Sequence, residues 1–209
     1  MEFGLLSALI VGLFLGIKHS LEPDHVIAVS TIASKSKNWF RSLLAGVFWG
    51  IGHSAVLFIV GLLIIVLKLQ VPPKVEAYFE IIVGIMLVYL GITSILGNTK
   101  RNGDKGDLND ASAIYMKSFA IGSIHGLAGS AALTVLVLST VNSLLDATLY
   151  ILFFGAGTII GMFCFTAALT ISLVLSVKRF NAKRTLEFTA AIVSVCFGMY
   201  YLYHIATIF

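Results

Sequence analysis

Six apolar stretches of bilayer-crossing length follow one another along this chain, at about residues 3–33, 41–67, 75–97, 114–140, 147–176 and 185–208. A helix needs about 20 residues to cross the hydrocarbon core. Backbone polar groups have no water to bond there, so a crossing segment must satisfy them itself. The expectation is an all-α polytopic membrane protein with six transmembrane helices. Composition agrees, with 58% hydrophobic and only 11% charged residues, where a soluble domain carries about 25% charged. Met1-Glu2 puts no basic stretch ahead of the first run, so that run is expected as a retained helix, not a cleaved signal.

The first run is too long for one straight span, and Glu22-Pro23 interrupts it. Proline removes a backbone donor and disfavours helix in the residue before it. A first helix broken near Pro23 is expected, with Pro23 as a first-turn residue of the second piece. The non-helical backbone at Glu22 must then be buried in protein or line a cavity.

Basic residues set the orientation. Lys35, Lys37 and Arg41 follow the first span. Lys100, Arg101, Lys105 and Lys117 lie around the third loop, and Lys178, Arg179, Lys183 and Arg184 in the fifth. Lys68 and Lys74 lie on the other side. The positive-inside rule puts the odd loops in the cytoplasm and both termini outside. The formal charge of +4 comes from these loops and does not suggest a nucleic-acid partner.

The two halves resemble each other. Gly16-Ile-Lys-His19-Ser-Leu21 matches Gly122-Ser-Ile-His125-Gly-Leu127 at an offset of 106, and Phe48-Trp-Gly50-Ile-Gly52 matches Phe153-Phe-Gly155-Ala-Gly157 at 105. Glu76 and Tyr89 match Glu187 and Tyr200 at 111. Three spans per half is odd, so the halves run in opposite senses. The expected organisation is a single transmembrane domain over 1–209, built as two inverted three-helix repeats, 1–97 and 114–209, joined by a polar cytoplasmic linker at 98–113. Inverted repeats with a site near the midplane at a broken helix are the architecture of many secondary transporters.

His19-Ser-Leu-Glu22-Pro-Asp24-His25 carries the chemistry. Ionisable side chains near a bilayer centre cost about 2.5–3.5 kcal/mol each on insertion scales. Imidazole and carboxylate together form a divalent-metal ligand set. In a continuous helix His19 and His25 would lie about 240° apart around the axis, so sharing one ion requires the break. His53, in Gly50-Ile-Gly-His53-Ser54, lies about twelve residues into the second span, and His125 about eleven into the fourth. Taken singly, either could equally be a helix-to-helix hydrogen-bonding residue. Glu22 reads as a ligand, a helix cap or a gate. Glu76, Glu80 and Glu187 are expected near span ends and solvated, His204 at the membrane interface, and Cys164 and Cys196 as separate packed residues without redox pairing.

On these residues a family resemblance rests. His19-x4-Asp24-His25 resembles the HX4DH signature of the nickel/cobalt transporter family, and Gly52-His53-Ser54 after Phe48-Trp49 resembles its second motif. Phe154-Gly-Ala-Gly-Thr-Ile-Ile-Gly161-Met162 is similar to the later Gly-Met motif. The chain looks closest to the short UreH-like branch with six spans, where His125-Gly-Leu-Ala-Gly-Ser130 fits the fourth. Ala128-Gly129-Ser130 replaces the family's usual Asp-Thr pair, and no His-rich loop is present. The resemblance implies passage of Ni2+ or Co2+ across the cytoplasmic membrane, with uptake as the first reading. His19, Asp24, His25 and His53 would handle the metal, with His125 and Glu22 as further candidates. The metal is cargo, and no prosthetic group is expected. Besides the metal and the lipid bilayer, homo-oligomerisation and a functional link to metal-enzyme maturation stay open. So do export, and transport of another small solute. A membrane metalloenzyme would need more ligands or an HExxH, and a thiol–disulfide carrier would need paired cysteines.

Overall fold

The computed structural model describes residues 2–33, 38–69, 71–99, 111–140, 143–175 and 182–208. Seven helices account for these residues: α1 (Glu2–Ser20), α2 (Pro23–Ala33), α3 (Trp39–Val66), α4 (Pro73–Thr99), α5 (Ala111–Thr140), α6 (Leu144–Leu175) and α7 (Ala182–Ile208). No strand occurs among the described residues. Each helix falls within a few residues of an expected apolar run. Residues 100–110, most of the expected linker, lie outside the described residues, as do Lys35, Lys37, Lys178 and Arg179.

The expected break is present. α1 and α2 are bent by 59° across Leu21-Glu22. Leu21 N–H donates to the Lys18 carbonyl and Glu22 N–H to the His19 carbonyl, both at 3.0 Å, which tightens the last turn of α1. Pro23 has no donor to offer, and the next helical bond runs from Val26 N–H back to the Glu22 carbonyl. The chain thus turns without stranding those backbone donors. Local chemistry ends other helices as well. Asn38 caps α3 by accepting from Phe40 N–H at 2.9 Å. Lys68, at φ 51°, closes its other end with Leu69 N–H donating to the Ile64 carbonyl, the paired-bond stop usually built on glycine.

By length and composition α3, α4, α6, α7 and the bent α1/α2 pair are candidate membrane crossings. α5 has 30 residues but is diluted by Lys117, Ser118, Ser123, His125 and Ser130. Large apolar side chains such as Phe14, Ile85, Tyr89, Phe153 and Tyr200 point outward, as a lipid-facing surface requires.

The packing is organised by glycines. Gly12 faces Tyr150 and Gly16 faces Phe154, so α1 and α6 run parallel. Gly122 meets Trp49 and Gly126 meets His53, so α5 and α3 run parallel too. α3 crosses α6 in the opposite sense, with Gly50 on Ile159 and Gly155 on Ser54. α4 and α7 are also antiparallel, Gly84 lying on Leu202 and Gly91 on Val195. A Cβ at Gly16 would strike the Phe154 carbonyl and one at Gly157 the Leu13 carbonyl. One at Gly122 would strike the Trp49 carbonyl, and one at Gly52 the Phe119 carbonyl. These are the same contacts twice: Gly16 to Gly122 and Leu13 to Phe119 are 106 residues apart, Trp49 to Phe154 and Gly52 to Gly157 are 105. Such small-residue approaches hold helices together where lipid offers no hydrophobic drive.

One core cluster joins Ala28, Val29, Trp49, Leu87, Leu90 and Met162; another joins Leu57, Val137, Tyr150, Ile151 and Phe154. Glu187 departs from expectation. It is buried at 4% exposure, because α7 begins at Ala182 and turns this residue inward more than a turn inside the helix. Glu76 and Glu80 are half-buried, not fully solvated.

Candidate metal centre

The break decides where the first ligands go. His19 sits in the last turn of α1, and Asp24 and His25 in the first turn of α2. The bend brings the two imidazoles to a ring separation of 4.5 Å. His53 is the fifteenth of the 28 residues of α3 and His125 the fifteenth of the 30 of α5, so both stand halfway along their helices. His53 lies 5.2 Å from each of His19 and His25, and His125 lies 4.9 Å from His25, ring to ring. Four histidines and one aspartate from four helices therefore meet in one place.

They form two ligand groups that share His25. One nitrogen each from His19, His25 and His53 lie within 4.8 Å of one another, and so do ligand atoms of Asp24, His25 and His125. Glu22 belongs to neither group. Its carboxylate lies 3.0 Å from His19 Nδ1, and its side chain is 50% exposed.

Hydrogen bonds set the direction of the lone pairs. His25 Nδ1–H donates to Asp24 Oδ1 at 2.9 Å, and His19 Nδ1–H donates to Glu22 Oε2. His125 Nδ1–H donates to the Ile121 carbonyl at 3.3 Å. A carbonyl or carboxylate oxygen only accepts, so each ring carries its hydrogen on Nδ1 and leaves Nε2 as a lone pair. The Nε2 atoms of His19, His25 and His125 and both nitrogens of His53 are shut from solvent with no hydrogen-bond partner among the described residues. An unmade bond on a buried polar group costs about 1–3 kcal/mol. Imidazoles this close, with buried ring nitrogens left without partners, are a poor arrangement for protein alone and a good one around a cation. Orienting partners on the far ring nitrogen are the usual support of histidine metal ligands.

Trp49 forms the floor. It is fully buried, stacks on His53 at 5.1 Å, and lies 4.9 Å from His25 and 5.2 Å from His125. Phe154 closes the side at His19, ring to ring 5.3 Å. A Cβ at Gly129 would sit 3.7 Å from His19 Nε2 and 4.0 Å from His53 Cε1, so at this position α5 presents only backbone to His19 and His53. In the sequence Trp49 reads only as an aromatic neighbour of the Gly52-His53-Ser54 motif. Its spacing of four from His53, which puts both on one helix face, is the signal that could have marked it. Thr158, the counterpart of His53 at an offset of 105, is buried and donates to the Phe154 carbonyl at 3.0 Å. His204 is exposed and stacks on Tyr200, away from the cluster. Cys164 and Cys196 are free and exposed.

No family model and no solved structure matches the chain. Among curated proteins, the urease accessory protein UreH of Bacillus sp. (strain TB-90) is 45% identical, over 98% of this chain and 94% of that one. The chloroplast protein FOR GROWTH AND FERTILITY 1 of Arabidopsis thaliana is 27% identical, over 94% of this chain and 59% of its own. The high-affinity nickel transport protein of Cupriavidus necator is 27% identical across 37% of this chain and 22% of its own.

Proposed function

Because the chain belongs to the nickel/cobalt transporter family, in its UreH-like branch, we propose that it carries Ni2+ or Co2+ into the cell through His19, His25 and His53. The observation that carries this reading is the set of buried, unpartnered imidazole nitrogens gathered where the α1/α2 break meets the middle of α3 and of α5. Imidazole suits Ni2+, Co2+ and Zn2+ alike, so geometry and supply, more than raw affinity, decide the ion. Asp24 contributes negative charge close by, and Glu22 and Asp24 hold His19 and His25 in the ligating tautomer.

The carrier works by alternating access, two inverted three-helix halves rocking about the midplane site. The duplicated contact of Gly16, Leu13, Phe154 and Gly157 with Gly122, Phe119, Trp49 and Gly52 supports that division. α5 counts as the sixth crossing because it runs parallel to α3, itself a candidate crossing, and packs on it from Phe119 to Gly126. The basic loops favour both termini outside. The chain is not an enzyme. A divalent ion crossing 100 mV inward gains about 4.6 kcal/mol, enough for roughly thousandfold accumulation at 1.4 kcal/mol per decade. A relative named as a urease accessory protein fits a carrier that supplies metal for the maturation of an enzyme.

The test is radiolabelled Ni2+ uptake in intact cells, with Co2+ as competitor, for wild type and for His19→Ala, His25→Ala and His53→Ala at matched membrane levels. Uptake is expected to fall at least about tenfold in each variant. Normal uptake in all three would sink the proposal.

A further inference from the structure

His25 stands between two groups that are not equivalent. On one side three imidazoles present Nε2 lone pairs or, in His53, either nitrogen. On the other, His125 Nε2 lies 3.8 Å from Asp24 Oδ2. His125 has used its Nδ1 hydrogen on the Ile121 carbonyl, so these two atoms are both acceptors. Two acceptors face each other with no hydrogen between them, and His125 is 2% exposed with Nε2 unpartnered. First-row divalent ions take nitrogen and oxygen ligands at about 2.0–2.2 Å, so one ion can span that gap. The Asp24 carboxylate is already held in place from its other oxygen by His25 Nδ1–H.

We propose that the ion passes through two positions rather than one: a transit position between Asp24 Oδ2 and His125 Nε2, and the three-nitrogen position of His19, His25 and His53. This rests on the metal-carrier reading above and deepens it. His25 couples the two. It is a ligand in the three-nitrogen position, and in the transit position it orients the carboxylate through Nδ1–H. No proton has to move for the ion to change places. With only two protein ligands, the transit position leaves the ion more of its water shell, which suits capture and release. The three-nitrogen position strips more of that shell and holds the ion more tightly. Two dications this close repel strongly, so one ion occupies one position at a time. Trp49 touches His25, His53 and His125 and forms the common wall along which the ion shifts.

The experiment separates equilibrium holding from passage. The purified full chain is titrated with Co2+ and followed by its absorption spectrum. The same preparations in proteoliposomes are assayed for the initial rate of Ni2+ uptake. Wild type is expected to bind one Co2+ per chain. His125→Ala is expected to keep the Co2+ spectrum and affinity but to slow uptake by about tenfold or more. His53→Ala is expected to lose both. His125→Gln, which keeps a polar side chain of similar size, covers the case in which the alanine variant does not fold, and the same split is expected. If His125 variants lose Co2+ binding as fully as His53→Ala, there is a single shared site and the two-position scheme is wrong. Uptake at the wild-type rate in His125 variants would reduce His125 to a packing residue. No Co2+ binding by wild type would remove the metal reading itself, a different result from either.

Discussion

At the scale of single residues, the centre depends on which nitrogen of each ring is left bare. Glu22 acts on His19 from outside both ligand groups, through Nδ1. Glu22→Ala is therefore expected to weaken metal binding by about 10- to 100-fold without altering insertion, which a Co2+ titration of purified protein checks. This role was not legible in the sequence. Glu22 lies within the seven-residue motif, yet whether it ligates or orients depends on rotamers that spacing does not fix. Gly129 works by what it lacks. Its Cα faces His19 and His53 with no side chain between, so Gly129→Leu is expected to fill the ion's place and abolish uptake in cells while the protein still inserts. Trp49 is expected to matter for stability as well. Trp49→Ala removes a fully buried ring and should cost about 3–5 kcal/mol, seen as a lowered thermal unfolding temperature.

At the scale of elements, the break between α1 and α2 is the device that brings His19 and His25 of one segment together. It was legible because its cause is local, a missing donor at Pro23 and the constraint this places on Glu22. A Glu22→Ala/Pro23→Ala variant favours one continuous helix. It should swing His25 away from His19 by the angle a straight helix imposes, and Co2+ binding should be lost while the protein remains in the membrane. Helix contacts give a second contrast. Gly122→Ala puts a methyl into the Trp49 carbonyl and should cost about 1–3 kcal/mol. Gly129→Ala meets its nearest atom at 3.7 Å and should be near neutral for thermal unfolding. The inward turn of Glu187 was not legible. Hydropathy locates where a span ends, but the face a residue presents is set by the partner helix.

At the scale of the whole molecule, the six apolar runs and their basic loops gave the helical architecture, because the bilayer leaves few alternatives. The duplication could be read from the glycine spacing, since close backbone approach tolerates no other residue. What the duplicated glycine contacts hide is a difference in chemistry. His19 has a histidine counterpart in His125, but His53 is answered by Thr158, so the candidate ligands are unequal across the duplicated contacts. The expected placement of both termini outside is checked by C-terminal fusions. An alkaline phosphatase fusion should be active and a green fluorescent protein fusion dark.

The unpartnered imidazoles have a further consequence. On the proposed function, a centre of imidazole nitrogens without partners makes the carrier least stable when it has nothing to carry. Metal present at a hundred times its dissociation constant would add about 2.7 kcal/mol to the folded form. Famine for the metal would then shorten the life of its own carrier. A pulse–chase in chelated and in nickel-supplemented medium should show faster turnover in the first, and equal turnover for His53→Ala in both.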